Sequence, residues 1–438
     1  MQGVKRLASV FQLALCWALG FGRKKVVYVV ERVNWSVTWD GRYISQGVSR
    51  LGIACSTTHR APSIRDSIVH FGSLGLTLRF AELAARNRNQ IIATIFHGDF
   101  GISSKMDSAV RKTNPNAVFI HRMDGVYRLY RKTTGVMQDK MSYLTNRWIA
   151  EATVLQSNWA LQTHIRFGFD GRLNCTVILN AADTNIFRPR VASAENSVLN
   201  ARPSLPKRSR AELDEKVCVK RVKIMTSSWW TNWKKGFEIL QYLDQNLDFD
   251  RVQLSFAGNS PVQFQRIKML GPLTNIALAQ VLQSSDIYLS AAEDDACSNA
   301  LLEALACGLP CLARRSGGHP EILATSQHKN VLFDGKHDIL EALEQAIAAF
   351  GYGKALAQTT RFEDAAQQYL VLARSLHGSP RRKGLNRVGR WWFAFRLRFY
   401  DRIVRLKRYQ KRPALSDFAS TAERSYQCTE HRDRCANF

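Results

Sequence analysis

The chain lacks a long hydrophobic run. Its longest apolar stretch without a charge, Leu7 to Gly22, has 16 residues and is interrupted by Gln12. That is short of the ~20 residues needed to span a bilayer, which excludes a polytopic membrane protein. Cysteine is sparse: nine in 438 residues, none in a Cys-x-x-Cys pair. A disulfide-stapled miniprotein is excluded, zinc ribbons and thioredoxin-like redox sites are disfavoured, and reduced thiols are expected. Acids are scarce as well, 36 Asp plus Glu against 62 Lys plus Arg, for a net charge of +26. So basic a chain is expected to meet an anion: nucleic acid, anionic lipid or a phosphorylated substrate. Hydrophobic residues make up 45%, enough for packed cores, and the length suggests two to three domains.

Residues 1–25 form an apolar segment between basic flanks, Lys5-Arg6 and Arg23-Lys24-Lys25. It is expected to be a helix that packs on the protein or touches a membrane. From Val26 short apolar, β-branched runs alternate with helical stretches. Strands are expected at 26–30, 91–96, 117–120 and 152–155, with helices at 76–88 and 157–166. Such alternation argues for a parallel sheet covered on both faces. Residues 189–221, rich in Pro, Ser, Arg, Lys and Glu, break the pattern as a linker. A second α/β series follows, with strands expected at 222–227, 252–257, 286–290, 311–313 and 331–333 and helices at 235–246 and 299–307. The division expected is a domain at 26–188, a second at 222–352, closing helices at 353–376 and a basic extension at 377–438. Two doubly wound domains leave a cleft between the carboxyl ends of their sheets, where ligands bind.

The most informative stretch runs from Asp286 to Glu321, DIYLSAAEDDACSNALLEALACGLPCLARRSGGHPE. It reads as strand, acidic loop, helix, Gly-Leu-Pro stop, strand and Gly-Gly turn. Ser298 or Asn299 can cap the helix. The free N–H groups that open it, Ala300 among them, suit a diphosphate. Glu303, inside the helix and eight residues after Asp295, can grip a ribose diol with both carboxylate oxygens. This stretch resembles the E-x7-E signature of retaining nucleotide-sugar glycosyltransferases of the group 1, or family 4, class. The resemblance implies the α/β GT-B fold, two Rossmann-like doubly wound domains facing a central cleft, with the acceptor on the side of the 26–188 domain and the nucleotide-sugar donor held by the 222–352 domain. It implies Asp295 on the donor sugar, in place of the usual glutamate, and Glu303 on the ribose.

Further segments extend the resemblance. Ser227-Ser228-Trp229-Trp230-Thr231-Asn232-Trp233-Lys234-Lys235-Gly236 resembles the family's phosphate-binding segment. Lys235 matches its lysine, Ser228 or Trp229 stands where its arginine would be, and Lys234 is the candidate substitute. Two lysines at a helix start oppose the helix dipole, which a bound anion would explain. Gly258 resembles the strand-end glycine at the nucleotide cleft, and Leu273, in Gly271-Pro272-Leu273, the loop that reads the base. Val177 to Pro189 resembles the interdomain hinge, with Asn180, Asp183, Phe187 and Pro189 in place. His97, past a strand end, takes the position of a histidine lining the catalytic pocket. Gly41 takes that of a glycine beside the diphosphate. The resemblance further implies retention of configuration, with diphosphate departure aided by Lys235 and helix amides. It implies no cofactor and no metal, and no Asp-x-Asp triad of the metal-dependent glycosyltransferases is expected.

The basic extension carries thirteen Lys or Arg between Arg381 and Arg412 against the single acid Asp401, so +12 of the +26 sits there. On a helix, Trp392, Phe395, Phe399, Ile403 and Leu406 share a face, with Arg398 and Arg402 elsewhere. Basic plus aromatic reads as an interfacial helix on an anionic membrane, in preference to nucleic acid. The expected protein is thus a hexosyltransferase, peripheral on the cytoplasmic face of a membrane, acting on a saccharide or lipid-linked acceptor. The alternatives are a degenerate non-catalytic relative, a nucleotide-sugar epimerase and a basic RNA-binding protein on a Rossmann-like scaffold.

Overall fold

The computed structural model describes residues 26–29, 46–51, 55–58, 67–71, 91–97, 111–171, 174–190, 221–326, 329–350, 359–376 and 387–409. The expected helices at 1–25 and 76–88 lie outside them. Two parallel sheets organise the chain. The first holds β1 Val26–Val29, β2 Cys55–Thr58, β3 Ser67–Phe71, β4 Ile91–His97, β5 Val118–Arg122, β6 Ala152–Leu155 and β7 Cys175–Val177, in the order β2-β1-β3-β4-β5-β6-β7. The second holds β8 Val222–Ser228, β9 Val252–Gly258, β10 Lys268–Gly271, β11 Ile287–Ser290, β12 Cys311–Arg314 and β13 Val331–Phe333, in the order β10-β9-β8-β11-β12-β13. The helices named here are α1 Arg128–Ile149, α2 Asn158–Arg166, α3 Phe237–Asn246, α4 Asn275–Gln283, α5 Asn299–Ala306, α6 His319–Ala324, α7 Ile339–Phe350, α8 Phe362–Leu376 and α9 Arg387–Tyr409.

The period of two explains why the second sheet is covered on both sides. Along its strands Ile224, Ile287, Leu289 and Leu312 join one core with Phe237, Leu240 and Phe256. Their neighbours Met225, Tyr288, Cys311 and Ala313 join the opposite core with Leu301, Leu305 and Ile322. Successive side chains point to opposite faces, so an unbroken apolar run must bury both. Each large side chain fully buried this way contributes about 1.5–3 kcal/mol.

The chain does not end on the second domain. Phe362, Ala365, Ala366, Tyr369 and Ala373 of α8 pack into the first core with Ala93, Ile95, Val118, Ile120 and Val154. Outgoing and returning strands run side by side where Ala182 bridges Arg361 in parallel. Strands β2, β3, β7 and β10 are additional to those expected, and three further departures from the sequence reading concern single elements. The helix expected at 235–246 is split: a 3-10 turn, Trp233–Lys235, ends at Gly236 in left-handed backbone, and α3 starts afresh. Helix α1, 22 residues long, was not anticipated. Ile403 of α9 is half-buried and does not share the exposed face.

Candidate active site

In the second sheet β8 and β11 are neighbours, while the chain winds outward through β9 and β10 on one side and β12 and β13 on the other. The loops leaving the carboxyl ends of β8 and β11 therefore diverge. The crevice they leave is the topological switch point where open α/β sheets bind ligands. Loop 229–236 and loop 291–298 supply its chemistry. Lys235 Nζ lies 2.8 Å from Asp295 Oδ2. Lys234 pairs with Asp294 and stands 4.0 Å from Glu293. The anions facing the two lysines are thus the protein's own aspartates. The backbones are joined as well, Glu293 N–H donating to Lys234 O at 2.7 Å. Gly236 permits this closeness: at φ 86° a Cβ would stand 2.3 Å from Ala291 O.

The acidic loop is held in an uncommon conformation. Asp294 has φ 57°, costly for a residue with a Cβ and sustained only where the surroundings over-determine it. Its N–H donates to Ser316 Oγ at 2.9 Å, its carbonyl accepts from the Tyr130 hydroxyl, and its carboxylate meets Lys234. Burial alone would raise the Asp295 pKa, but Lys235, the nearby His319 and the Cys297 N–H outweigh it and hold the carboxyl below its usual range. His319 is itself buried, with Nε2 3.2 Å from Ser290 Oγ and Nδ1 3.0 Å from Arg314 O. Desolvation lowers its pKa, which favours the neutral ring. Glu303 behaves oppositely. Burial pushes its carboxyl up to about 8, and among the described residues no hydrogen bond or ion pair holds it.

Ser298 caps α5 through a hydrogen bond from Leu301 N–H at 3.4 Å. The N–H groups of Asn299 and Ala300 are left to point past the helix start. The first domain reaches this point. Asn180 Nδ2 donates to Asn299 Oδ1 at 2.8 Å and to Cys297 O at 3.3 Å. Asn180 Oδ1 accepts from the fully buried Arg122 at 2.6 Å. Asn180 therefore bridges the domains rather than building a local turn. Asp183 does both, receiving the Asn185 N–H at 3.1 Å and pairing with Arg50 at 2.6 Å. Phe187 packs in the second core. A second clasp is Glu321 of α6, which accepts from the N–H groups of Asn158 and Trp159 at 2.7 and 2.6 Å. It thus caps α2 from the opposite domain. Glu321→Ala is expected to cost about 1 kcal/mol, as for a lost cap, and to speed amide exchange at Asn158 and Trp159. Unchanged exchange there would mean that the clasp holds nothing.

Lys234 and Lys235 meet Asp294 and Asp295, and the loop that bears those acids runs through Ser298 into α5, which carries Asn299, Ala300 and Glu303. Gly258 ends β9, so near β8 that a Cβ would stand 1.9 Å from Ser228 O; its work is to let the two strand ends meet. Leu273 packs, half-buried, against the α5 side of the core. His97 ends β4, but its side chain, like Gly41 altogether, lies outside the described residues. His121, Arg122 and Met123, at the end of β5, are interior, and the fully buried Arg122 pairs with the half-buried Asp124 at 2.8 Å. Asp248-Phe249-Asp250 does spell Asp-x-Asp. It forms a turn before β9, at the opposite strand end from the crevice, with Asp250 N–H donating to Asp248 Oδ1 at 3.0 Å. Sequence reasoning missed Arg314, the last residue of β12, whose guanidinium lies 3.6 Å from Glu293 and 3.8 Å from Glu238. It also missed Tyr130, from the first domain. Arg314 lies within Asp286–Glu321 but at the end of its second strand, away from the acids in sequence, and Tyr130 lies outside every motif segment; only the fold brings either to the acidic loop.

Residues 222–350, β8 through α7, match the family model for glycosyl transferases group 1. A segment of 58 residues is 41% identical to the N-acetyl-alpha-D-glucosaminyl L-malate synthase of Bacillus anthracis, covering 13% of this chain and 15% of that protein. HepE of Anabaena, solved in complex with UDP and glucose, shares the fold with a TM-score of 0.54 at 13% identity, over 81% of this chain and 100% of that one. Sucrose-phosphate synthase of Thermosynechococcus elongatus does so with a TM-score of 0.54 at 14% identity, over 82% and 100%. The two-sheet architecture is therefore the GT-B fold.

Proposed function

Because residues 222–350 match the family model for group 1 glycosyl transferases, we propose that this protein moves a sugar from a nucleotide-diphosphate donor to an acceptor hydroxyl. The observation that carries this reading is the Lys235–Asp295 pair on the loop that leads into α5, whose start leaves backbone N–H groups free and whose interior holds Glu303, an acid that no described residue pairs. Glu303 accepts the ribose diol. The diphosphate lies against the N–H groups of Asn299 and Ala300 and shares Lys235 with Asp295. Asp295, ionised, receives hydroxyls of the donor sugar. As the bond from the anomeric carbon to the diphosphate breaks, charge accumulates on the leaving oxygen, and Lys235 with the helix amides stabilises it. The acceptor oxygen forms its bond to the anomeric carbon as that bond breaks, and its proton passes to the departing diphosphate oxygen.

The finer reading is a hexose donor and transfer with retention. It needs no metal, since lysine and helix dipole supply the positive charge. The acceptor is a saccharide or lipid-linked saccharide, and the protein works as a peripheral protein on the cytoplasmic face of a membrane. The test is a thermal-shift panel of UDP-, GDP-, ADP- and CDP-sugars followed by donor hydrolysis. UDP-sugars come first because HepE, which shares the fold, was solved with UDP and glucose. One class is expected to raise the melting temperature. Stabilisation by none would overturn the proposal, and stabilisation without hydrolysis or transfer would reduce it to nucleotide-sugar binding.

A further inference from the structure

Helix α9 follows the second domain in sequence yet packs along α1 of the first. Its inner contact is Phe393, 2% exposed. On the other side Val388, Trp391, Trp392, Phe395, Phe399 and Leu406 are each between 50% and 65% exposed. Val388, Trp392, Phe395, Phe399 and Leu406 follow one another at four, three, four and seven residues, so they form one stripe along the helix. The rings are mutually ordered: Trp391 stacks on Phe395 at 5.7 Å and Trp392 meets it edge-on at 5.8 Å. Arg396, Arg398 and Arg402 are exposed beside them. Among the described residues no helix is long and apolar enough to cross a membrane.

We propose that α9 lies flat on an anionic bilayer and holds the first domain, not the donor domain, against it. This rests on the reading above in one respect, that the first domain takes the acceptor. A stripe this exposed needs a partner that accepts aromatic and aliphatic side chains alike. A bilayer interface does, with Trp and Phe at headgroup depth and Val388 and Leu406 toward the acyl chains. Single-stranded nucleic acid stacks on aromatics only. A second copy of the helix is disfavoured by its charge, since two helices each with eight Lys or Arg against the single acid Asp401, +7 apiece, would face one another. Anionic headgroups complement that charge. The geometry then divides the work: the membrane-bound half receives an acceptor embedded in the bilayer, while the donor half meets its nucleotide from solution.

The test uses the full chain with vesicles of neutral phosphatidylcholine, with and without phosphatidylglycerol. Binding is expected only with phosphatidylglycerol and is expected to fall at least ~10-fold between low and high salt. Trp391→Ala/Trp392→Ala/Phe395→Ala and, separately, Arg396→Glu/Arg398→Glu/Arg402→Glu are each expected to weaken it by ~10-fold or more. Both variants keep the wild-type melting temperature and its nucleotide-induced shift. Equal binding to neutral vesicles, binding to neither, wild-type affinity in both variants, or capture of RNA without lipid would each overturn the proposal. Loss of the nucleotide shift in the wild-type protein would instead count against the donor site alone, because the vesicle assay does not depend on it.

Discussion

Replacing Glu303 by glutamine is expected to make the ligand-free protein more stable at alkaline pH while removing its grip on the nucleotide. The folded-state carboxyl titrates at about 8, against an ordinary 4.5. Between those values the folded protein keeps a proton that the unfolded chain has released. Stability therefore falls as pH rises through this window, and the penalty is complete above pH 8. Glutamine fills the same space and does not titrate. The Glu303→Gln variant should melt with wild type at pH 5 and several degrees above it at pH 9. The same substitution removes a charged acceptor from the diol, worth ~1.5–3 kcal/mol, so nucleotide affinity should fall ~10–100-fold. In the wild type, nucleotide binding below pH 8 must first remove the proton, so affinity should rise up to ~10-fold per unit toward pH 8. Calorimetry and thermal melts across pH check both halves. A variant that is no more stable at pH 9, or that binds nucleotide normally, would remove Glu303 from the site.

Lys235→Met should lower the transfer rate by ~100–1,000-fold, the scale of losing one preorganised donor to developing charge. It also releases Asp295. With the Lys235 partner at 2.8 Å gone, the burial that already raises the Asp295 pKa acts with less opposition. The acid limb of the rate profile should move to higher pH. Lys235→Arg, which restores the charge, should recover part of the rate and return the limb. Lys234→Met should do less, because Lys234 is engaged with Asp294 and Glu293 at the edge of the loop. A shifted limb separates an electrostatic role from a merely structural one; an unmoved limb with a normal rate would place the diphosphate elsewhere.

The residues proposed for the site could be read from the sequence where the chemistry is local. A helix start, its cap and an acid inside its second turn lie within Ser298–Glu303, so their convergence needs no long-range information. The lysines were legible, their partners less so: a sequence with two lysines before Gly236 suggested a bound anion, and the fold answers with Asp294 and Asp295 from a loop some sixty residues away. Helix α1 was illegible because little of its core face is apolar. Ser142, Thr145 and Asn146 are buried beside Met141, and Asp139 at its interior receives the Tyr127 N–H and pairs with Arg128. A hydrophobic period cannot report a face stabilised by hydrogen bonds.

Short apolar runs, alternation with helices and the cap at Ser298 were enough to determine two parallel sheets and the neighbourhood of the site, because each depends on spacings of a few residues. Strand order was decided only in three dimensions. It put β8 beside β11 and so opened the crevice, returned α8 to the first core, and laid α9 on α1. Those contacts join residues tens to hundreds of positions apart, and what selects them is the burial of both sheet faces at once, a property of the assembled layers that no single segment carries.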